Sequence, residues 1–266
     1  EHYLDMVGVT GSNPVPPTNS VQPGATFAGG PCRCGSAIRE GAIEGVGMSV
    51  LFRPMLPGAI SVAEMPPSAA DPGALPLAEQ ALIERAVDKR RREFAAGRLL
   101  ARAMLAEARI PAGPLLPDAN RVPCWPEGMV GSITHCNTLC AVAVAPAADW
   151  LGVGLDVEPA EPLEARLLPM ILREAEFARV EALPADLRPI GGRLVFSIKE
   201  AVYKAIYPSC RVFLDFQQVE IAFAGDDGFV ADVLVPGAAP RGFERIHGRF
   251  RVAHGHMGAA VALPAR

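Results

Sequence analysis

Apolar and polar positions alternate most plainly over 150–159, where Leu151, Val153, Leu155 and Val157 take one side of an extended chain and Gly152, Gly154, Asp156 and Glu158 the other. A strand there sets Asp156 and Glu158 side by side. Over 77–109 the period changes: strong helix formers run without proline, and Leu82, Ala86, Phe94, Ala101 and Leu105 fall near helical spacing, so the stretch predicts a helix or a helix pair. Pro111, Gly113, Pro114 and Pro117 end it. Helical patterns return over 163–180 and 193–206; in the second, Val195, Ile198, Val202 and Ala205 form an apolar stripe, with Glu200 and Lys204 on the opposite side. Residues 131–145 read as a short strand or turn followed by a strand of small residues, and 219–223, 229–235 and 248–255 alternate like strands that close the chain.

The first 47 residues carry 14 Gly or Pro and no sustained period, which predicts a disordered or non-native extension, with a folded chain beginning at Met48. The 266 residues, half of them hydrophobic, suffice for one large or two small domains at roughly 100–200 residues each. A net charge of -4 makes the whole molecule no trap for nucleic acid, and Pro146, Asp149 and Asp156 interrupt the longest apolar stretch too often for a membrane span. Six cysteines and an amino end without a basic-then-apolar signal make a reducing cytoplasm the expected setting. Of the 25 basic residues all but Lys89, Lys199 and Lys204 are arginine, and eight of the 25 lie on the 77–109 segment. A close lysine pair in an arginine-rich chain points to a place that wants a compact ammonium.

Two carboxylates at i and i+2 on one strand face can bind a divalent cation from one side, and the glycines before them leave room for a phosphate. The same alternation also fits an edge strand with a solvated acidic face. On the helix over 193–206, Glu200 could face a metal while Lys199 and Lys204 face different phosphate oxygens; an ordinary Glu-to-Lys pair gives the same spacing. His135 could bind phosphate or move a proton, or simply be a packed histidine. His135, Cys136 and Cys140 lack a second cluster at zinc spacing, and His254 and His256 read as incidental. Arg90 and Arg98, about two turns apart, could clamp a phosphate or belong to a solvated basic face.

In order, RRREF-x-x-GR at 90–98, WPEGMVGSITHC at 125–136, GVGLDVEP at 152–159 and FSIKEAVYKA at 196–205 resemble the 4'-phosphopantetheinyl transferases of the Sfp/EntD type, especially the PptT branch. The resemblance implies an α+β fold of two pseudo-symmetric subdomains, 48–150 and 151–266, with the active site in the cleft between them. It implies a transferase that moves the phosphopantetheine arm of coenzyme A to a serine of an apo acyl or peptidyl carrier protein, with Mg²⁺, releasing 3',5'-ADP. The carriers of such enzymes serve fatty acids, polyketides, siderophores or other peptides. By resemblance Asp156, Glu158 and Glu200 hold Mg²⁺, Arg90 and Arg98 contact the 3'-phosphate end, and Thr134 and His135 line the nucleotide and phosphate site. Lys199 and Lys204 then neutralise the pyrophosphate, and Leu214 contacts coenzyme A. The base is Glu200, with Glu158 the alternative. Where relatives carry lysines before the WP motif, this chain has only Arg121. The expected protein is a monomer. Rival readings are a Mg²⁺-dependent phosphate-ester hydrolase, for which no G-x-x-x-x-G-K-[ST] loop occurs, and a non-catalytic module that binds carriers.

Overall fold

Two antiparallel sheets, each backed by a 20-residue helix, make up the computed structural model, which describes residues 47, 48 and 50–265. The expected extension, with Cys32 and Cys34, lies outside the described residues except for Gly47. The first sheet contains β1 (Gly47–Met48), β2 (Ser61–Met65), β3 (Met129–His135) and β4 (Cys140–Pro146), in the order β1-β2-β4-β3. Gly47 pairs with Glu64, so the ladder starts one residue before Met48. The second sheet contains β5 (Trp150–Pro159), β6 (Val219–Ala224), β7 (Gly228–Val233), β8 (Arg245–Ala253) and β9 (His256–Pro264), in the order β5-β9-β8-β7-β6. The architecture is α+β, as the family resemblance implies. Strands β2 and β9 carry too little alternation to stand out in the sequence. Strand β9, made largely of small residues buried on both faces, is placed by its pairing with β5 and β8.

The helix pair over 77–109 forms as α1 (Leu77–Leu82) and α2 (Asp88–Glu107), broken where Ile83 turns into the core. Strand β4 shows why the halves adhere. Its odd and even positions feed two cores: Cys140, Val142 and Val144 pack with Leu100 and Leu105 of α2, while Ala141, Ala143 and Ala145 pack with Val153, Leu155 and Val157 of β5. Alanines on the second face let the two sheets approach closely. Each large side chain so buried contributes about 1.5–3 kcal/mol.

The carboxyl half adds α3 (Leu168–Ile171), α4 (Glu174–Glu181) and α5 (Gly191–Cys210). The predicted stripe of Val195, Ile198, Val202 and Ala205 is buried. Helix α5 lies directly on β5: a Cβ at Gly152 would sit 2.2 Å from the Ala205 carbonyl oxygen, and one at Gly154 would sit 1.9 Å from that of Ala201. The glycines therefore admit the helix backbone, and the expectation that they leave room for a phosphate is corrected. Strand and helix run in opposite directions, which sets the lysine side of α5 beside the carboxylates of β5. Among the described residues no helix is long and apolar enough to cross a membrane.

Candidate active site

Strands β3 and β5 are edge strands of their sheets, and they meet along a seam. Ser132 and Thr134, two apart and so on one face of β3, close it: Ser132 Oγ accepts from the Leu155 N–H at 3.0 Å, and Thr134 Oγ1 accepts from the Val157 N–H at 3.0 Å. Each bond satisfies a buried edge donor that would otherwise cost about 1–3 kcal/mol. Ser132 carried no signal in the sequence, although its spacing to Thr134 matches the strand period.

At one end of the seam Thr134 donates to Asp156 Oδ1 at 3.3 Å, and Lys204 Nζ donates to the same oxygen at 2.7 Å. Asp156 is 5% exposed, and its other oxygen, Oδ2, is buried without a hydrogen-bond partner among the described residues. A buried carboxylate oxygen left in this way is costly unless a donor or cation meets it. Glu158, two residues along the same face, is bound by Arg193 Nη1 at 2.8 Å. Arg193 also donates to the Glu161 and Pro162 carbonyls, tying the first turn of α5 to the loop after β5. Sequence reasoning missed Arg193, which has no fixed spacing to its partners. Glu200 is buried one helical turn before Lys204 on α5.

Burial, reinforced by the neighbouring Asp156 charge and opposed by Arg193 and Lys204, raises the Glu158 carboxyl from its ordinary 4.5 to about 7. The folded protein therefore holds this proton more tightly than the unfolded chain. The corresponding stabilisation is complete below about pH 4.5 and is lost as pH rises through about 7. Melting temperatures measured across that interval should fall more steeply for the wild type than for Glu158→Gln. Equal slopes would assign the pH dependence to other groups.

A second cluster stands beside Thr134. Arg90 Nη1 lies 2.9 Å from His135 Nε2, and buried Glu93 lies beneath both residues. Glu93 was also missed, although its i+3 spacing from Arg90 and i+4 spacing from Lys89 were visible signals. Arg98 is buried over the Phe94 ring, with its guanidinium carbon 4.5 Å from the ring centroid and Nε donating to the Leu115 carbonyl. Leu214 is 7% exposed.

Lys199 requires a correction. The residue is 2% exposed, and its ammonium, expected at the pyrophosphate, donates to Glu176 Oε2 at 2.7 Å and to the carbonyls of Ile171 and Phe216 at 2.8 and 2.9 Å. Lys204 follows it by five positions, about 140° around the axis, so the two lysines serve different sides of α5. Burial pulls the Lys199 ammonium below the usual lysine range, with Glu176 acting in the opposite direction.

Among the described residues no three His, Cys, Asp or Glu side chains already stand as a metal cage. Lys204 and Arg193 each occupy one carboxylate. The donor set still fits Mg²⁺, which takes one or two carboxylates and completes its shell with water and substrate phosphates, and the unpartnered Asp156 Oδ2 is a hard oxygen of the right kind.

The chain is similar in sequence to known proteins. A profile of the 4'-phosphopantetheinyl transferase N-terminal domain matches residues 78–145, and one of the 4'-phosphopantetheinyl transferase superfamily matches residues 152–254. The chain is 41% identical over 200 residues to 4'-phosphopantetheinyl transferase Svp of Streptomyces mobaraensis, an alignment covering 73% of this chain and 81% of that protein. It is 37% identical over 201 residues to PptT of Mycobacterium tuberculosis, covering 72% and 88% of the two chains. To Npt of Nocardia iowensis it is 33% identical over 223 residues, covering 80% and 99%.

Proposed function

The chain belongs to the 4'-phosphopantetheinyl transferase superfamily and is a transferase, and from that premise we propose that it moves the phosphopantetheine arm of coenzyme A to a serine hydroxyl of an apo acyl or peptidyl carrier protein. The observation that carries the reading is the seam-end cluster of Asp156, Lys204 and Thr134, with a buried carboxylate oxygen left open beside a compact ammonium.

In this reaction the serine oxygen bonds to the β-phosphorus of coenzyme A, the bond from that phosphorus to the bridging oxygen breaks, and 3',5'-ADP leaves with the electron pair. Positioning and charge neutralisation dominate such phosphoryl chemistry. Arg90 and Arg98 contact the 3'-phosphate end, Thr134 and His135 line the nucleotide and phosphate site, and Leu214 contacts the coenzyme. Thr134, on β3, also fixes the Asp156 side chain across the seam. Lys204 offsets negative charge on the pyrophosphate, for which an ammonium with three rotatable donors suits a crowded set of oxygens. The serine proton passes to Glu200; a second reading gives it to Glu158, whose carboxyl near 7 is matched to proton transfer at neutral pH. Asp156 and Glu158, with Glu200, are the residues that would hold Mg²⁺, which when bound supplies Lewis-acid stabilisation of the pyrophosphate. Lys199 contributes by fixing α5 against α4.

The two long helices and the seam between their sheets support a division into subdomains near Trp150, with both sides of the site on one chain; the reading takes the protein as a monomer acting in the cytoplasm. Intact mass of an apo acyl carrier protein and an apo peptidyl carrier protein, each incubated with this protein, coenzyme A and Mg²⁺, tests the proposal. One added phosphopantetheine group, absent with EDTA, is the expected result. No gain on either carrier by a preparation that binds coenzyme A would favour the non-catalytic reading.

A further inference from the structure

The buried carboxylate of Glu93 has no part in the reaction as derived, yet three basic side chains gather on it. Its Oε2 lies 3.7 Å from His135 Nδ1 and 3.9 Å from Arg90 Nη1, and its Oε1 lies 3.9 Å from Lys89 Nζ. The Glu93 side chain is 9% exposed, whereas those of Arg90 and Lys89 are 41% and 63% exposed. The carboxylate thus forms the floor of a cationic cluster whose upper side faces solvent.

The arrangement selects the tautomer of the neutral His135 ring. A guanidinium only donates, so the 2.9 Å contact between Arg90 Nη1 and His135 Nε2 requires Nε2 to accept. The neutral ring then carries its proton on Nδ1, the nitrogen nearest Glu93. A negative charge on that side favours the Nδ1–H tautomer and opposes its exchange for Nε2–H, which would turn a donor toward Arg90. Glu93 also draws Arg90 inward from its own helix, one turn away. A single side chain therefore orients both partners of the pair, one on α2 and the other on β3.

We propose that Glu93 is a positioning residue that, directly and through the His135 ring, holds the Arg90 guanidinium preassembled as the donor to a phosphate monoester. The proposal rests on the reading of Arg90 as a contact of the 3'-phosphate of coenzyme A. Preassembly lowers the ordering cost that an incoming dianion must meet. Without the Glu93 charge, the arginine samples solvent and the imidazole divides between tautomers.

Glu93→Gln keeps the volume and removes the charge. Steady-state kinetics with coenzyme A and with 3'-dephospho-coenzyme A, alongside Arg90→Ala, tests the idea. The expected result for Glu93→Gln is a KM for coenzyme A raised roughly tenfold, with kcat within about twofold and the dephospho substrate almost unaffected. Nitrogen-15 NMR of His135 should show the Nδ1–H tautomer in the wild type and a mixture in the variant. If Arg90→Ala discriminates between the two substrates but Glu93→Gln weakens both equally, or leaves the His135 signals unchanged, the positioning role is overturned and the 3'-phosphate reading stands. If Arg90→Ala does not discriminate, the 3'-phosphate reading falls and the proposed ligand falls with it. A lowered melting temperature with unaltered KM values would make Glu93 merely structural, which also overturns the proposal.

Discussion

Asp156→Asn is expected to lower transfer to a carrier by about 10²–10³-fold, the scale on which removal of one preorganised electrostatic group slows catalysis. The substitution keeps the shape of the side chain and can still receive the bond from Thr134 to Oδ1. It removes the charge that pairs with Lys204 at 2.7 Å and the anionic character of the buried Oδ2. The Lys204 side chain is 23% exposed, so its ammonium can turn toward water and the fold should survive. Transfer rates with saturating coenzyme A, together with Mg²⁺ titration followed by calorimetry, measure the effect. A variant that retained full turnover would remove Asp156 from the reaction and displace the site from this end of the seam.

The second large effect concerns stability. Lys199→Met should destabilise the protein by about 3–5 kcal/mol, because removing one partner of a buried ion pair leaves the other charge uncompensated. The abandoned partner is Glu176, which is 0% exposed and also accepts from the backbone N–H groups of Arg173 and Ile221. These bonds tie α4 and β6 to α5, so the loss falls on the junction that sets the helix carrying Glu200 and Lys204. For a chain of this size the melting temperature should drop by roughly 10 °C. Thermal denaturation distinguishes this from direct action at the pyrophosphate, since a lysine acting there would depress kcat and leave the melting temperature nearly unchanged.

Much of the layout of the candidate site was legible because its signals are local. The alternation through 150–159 places Asp156 and Glu158 on one face, and the four-residue spacing places Glu200 and Lys204 on one side of α5; both follow from backbone periods of two and 3.6. The helix pair, the closing strands and the arginines of α2 were read in the same way, and the order of four motifs pointed to the family. Ser132, Glu93, Arg193 and Glu176 were not legible as parts of the site. Each acts on a partner from another element, 23 residues away for Ser132 and Leu155 and 35 for Arg193 and Glu158.

Lys199 and the glycines of β5 mark the boundary most sharply. Periodicity places Lys199 a quarter turn from Glu200, but only the packing of α3, α4 and the 216–218 turn around α5 decides that its ammonium is enclosed there. Gly152 and Gly154 are visible as missing side chains in the sequence; that a helix backbone fills the space is decided by tertiary contact. The sequence by itself determined the elements, the faces on which the charged groups lie and the family, since these depend on neighbours a few residues away. Tertiary structure alone decided which charges meet and which are buried, because side-chain electrostatics acts over a few ångströms in space regardless of separation along the chain.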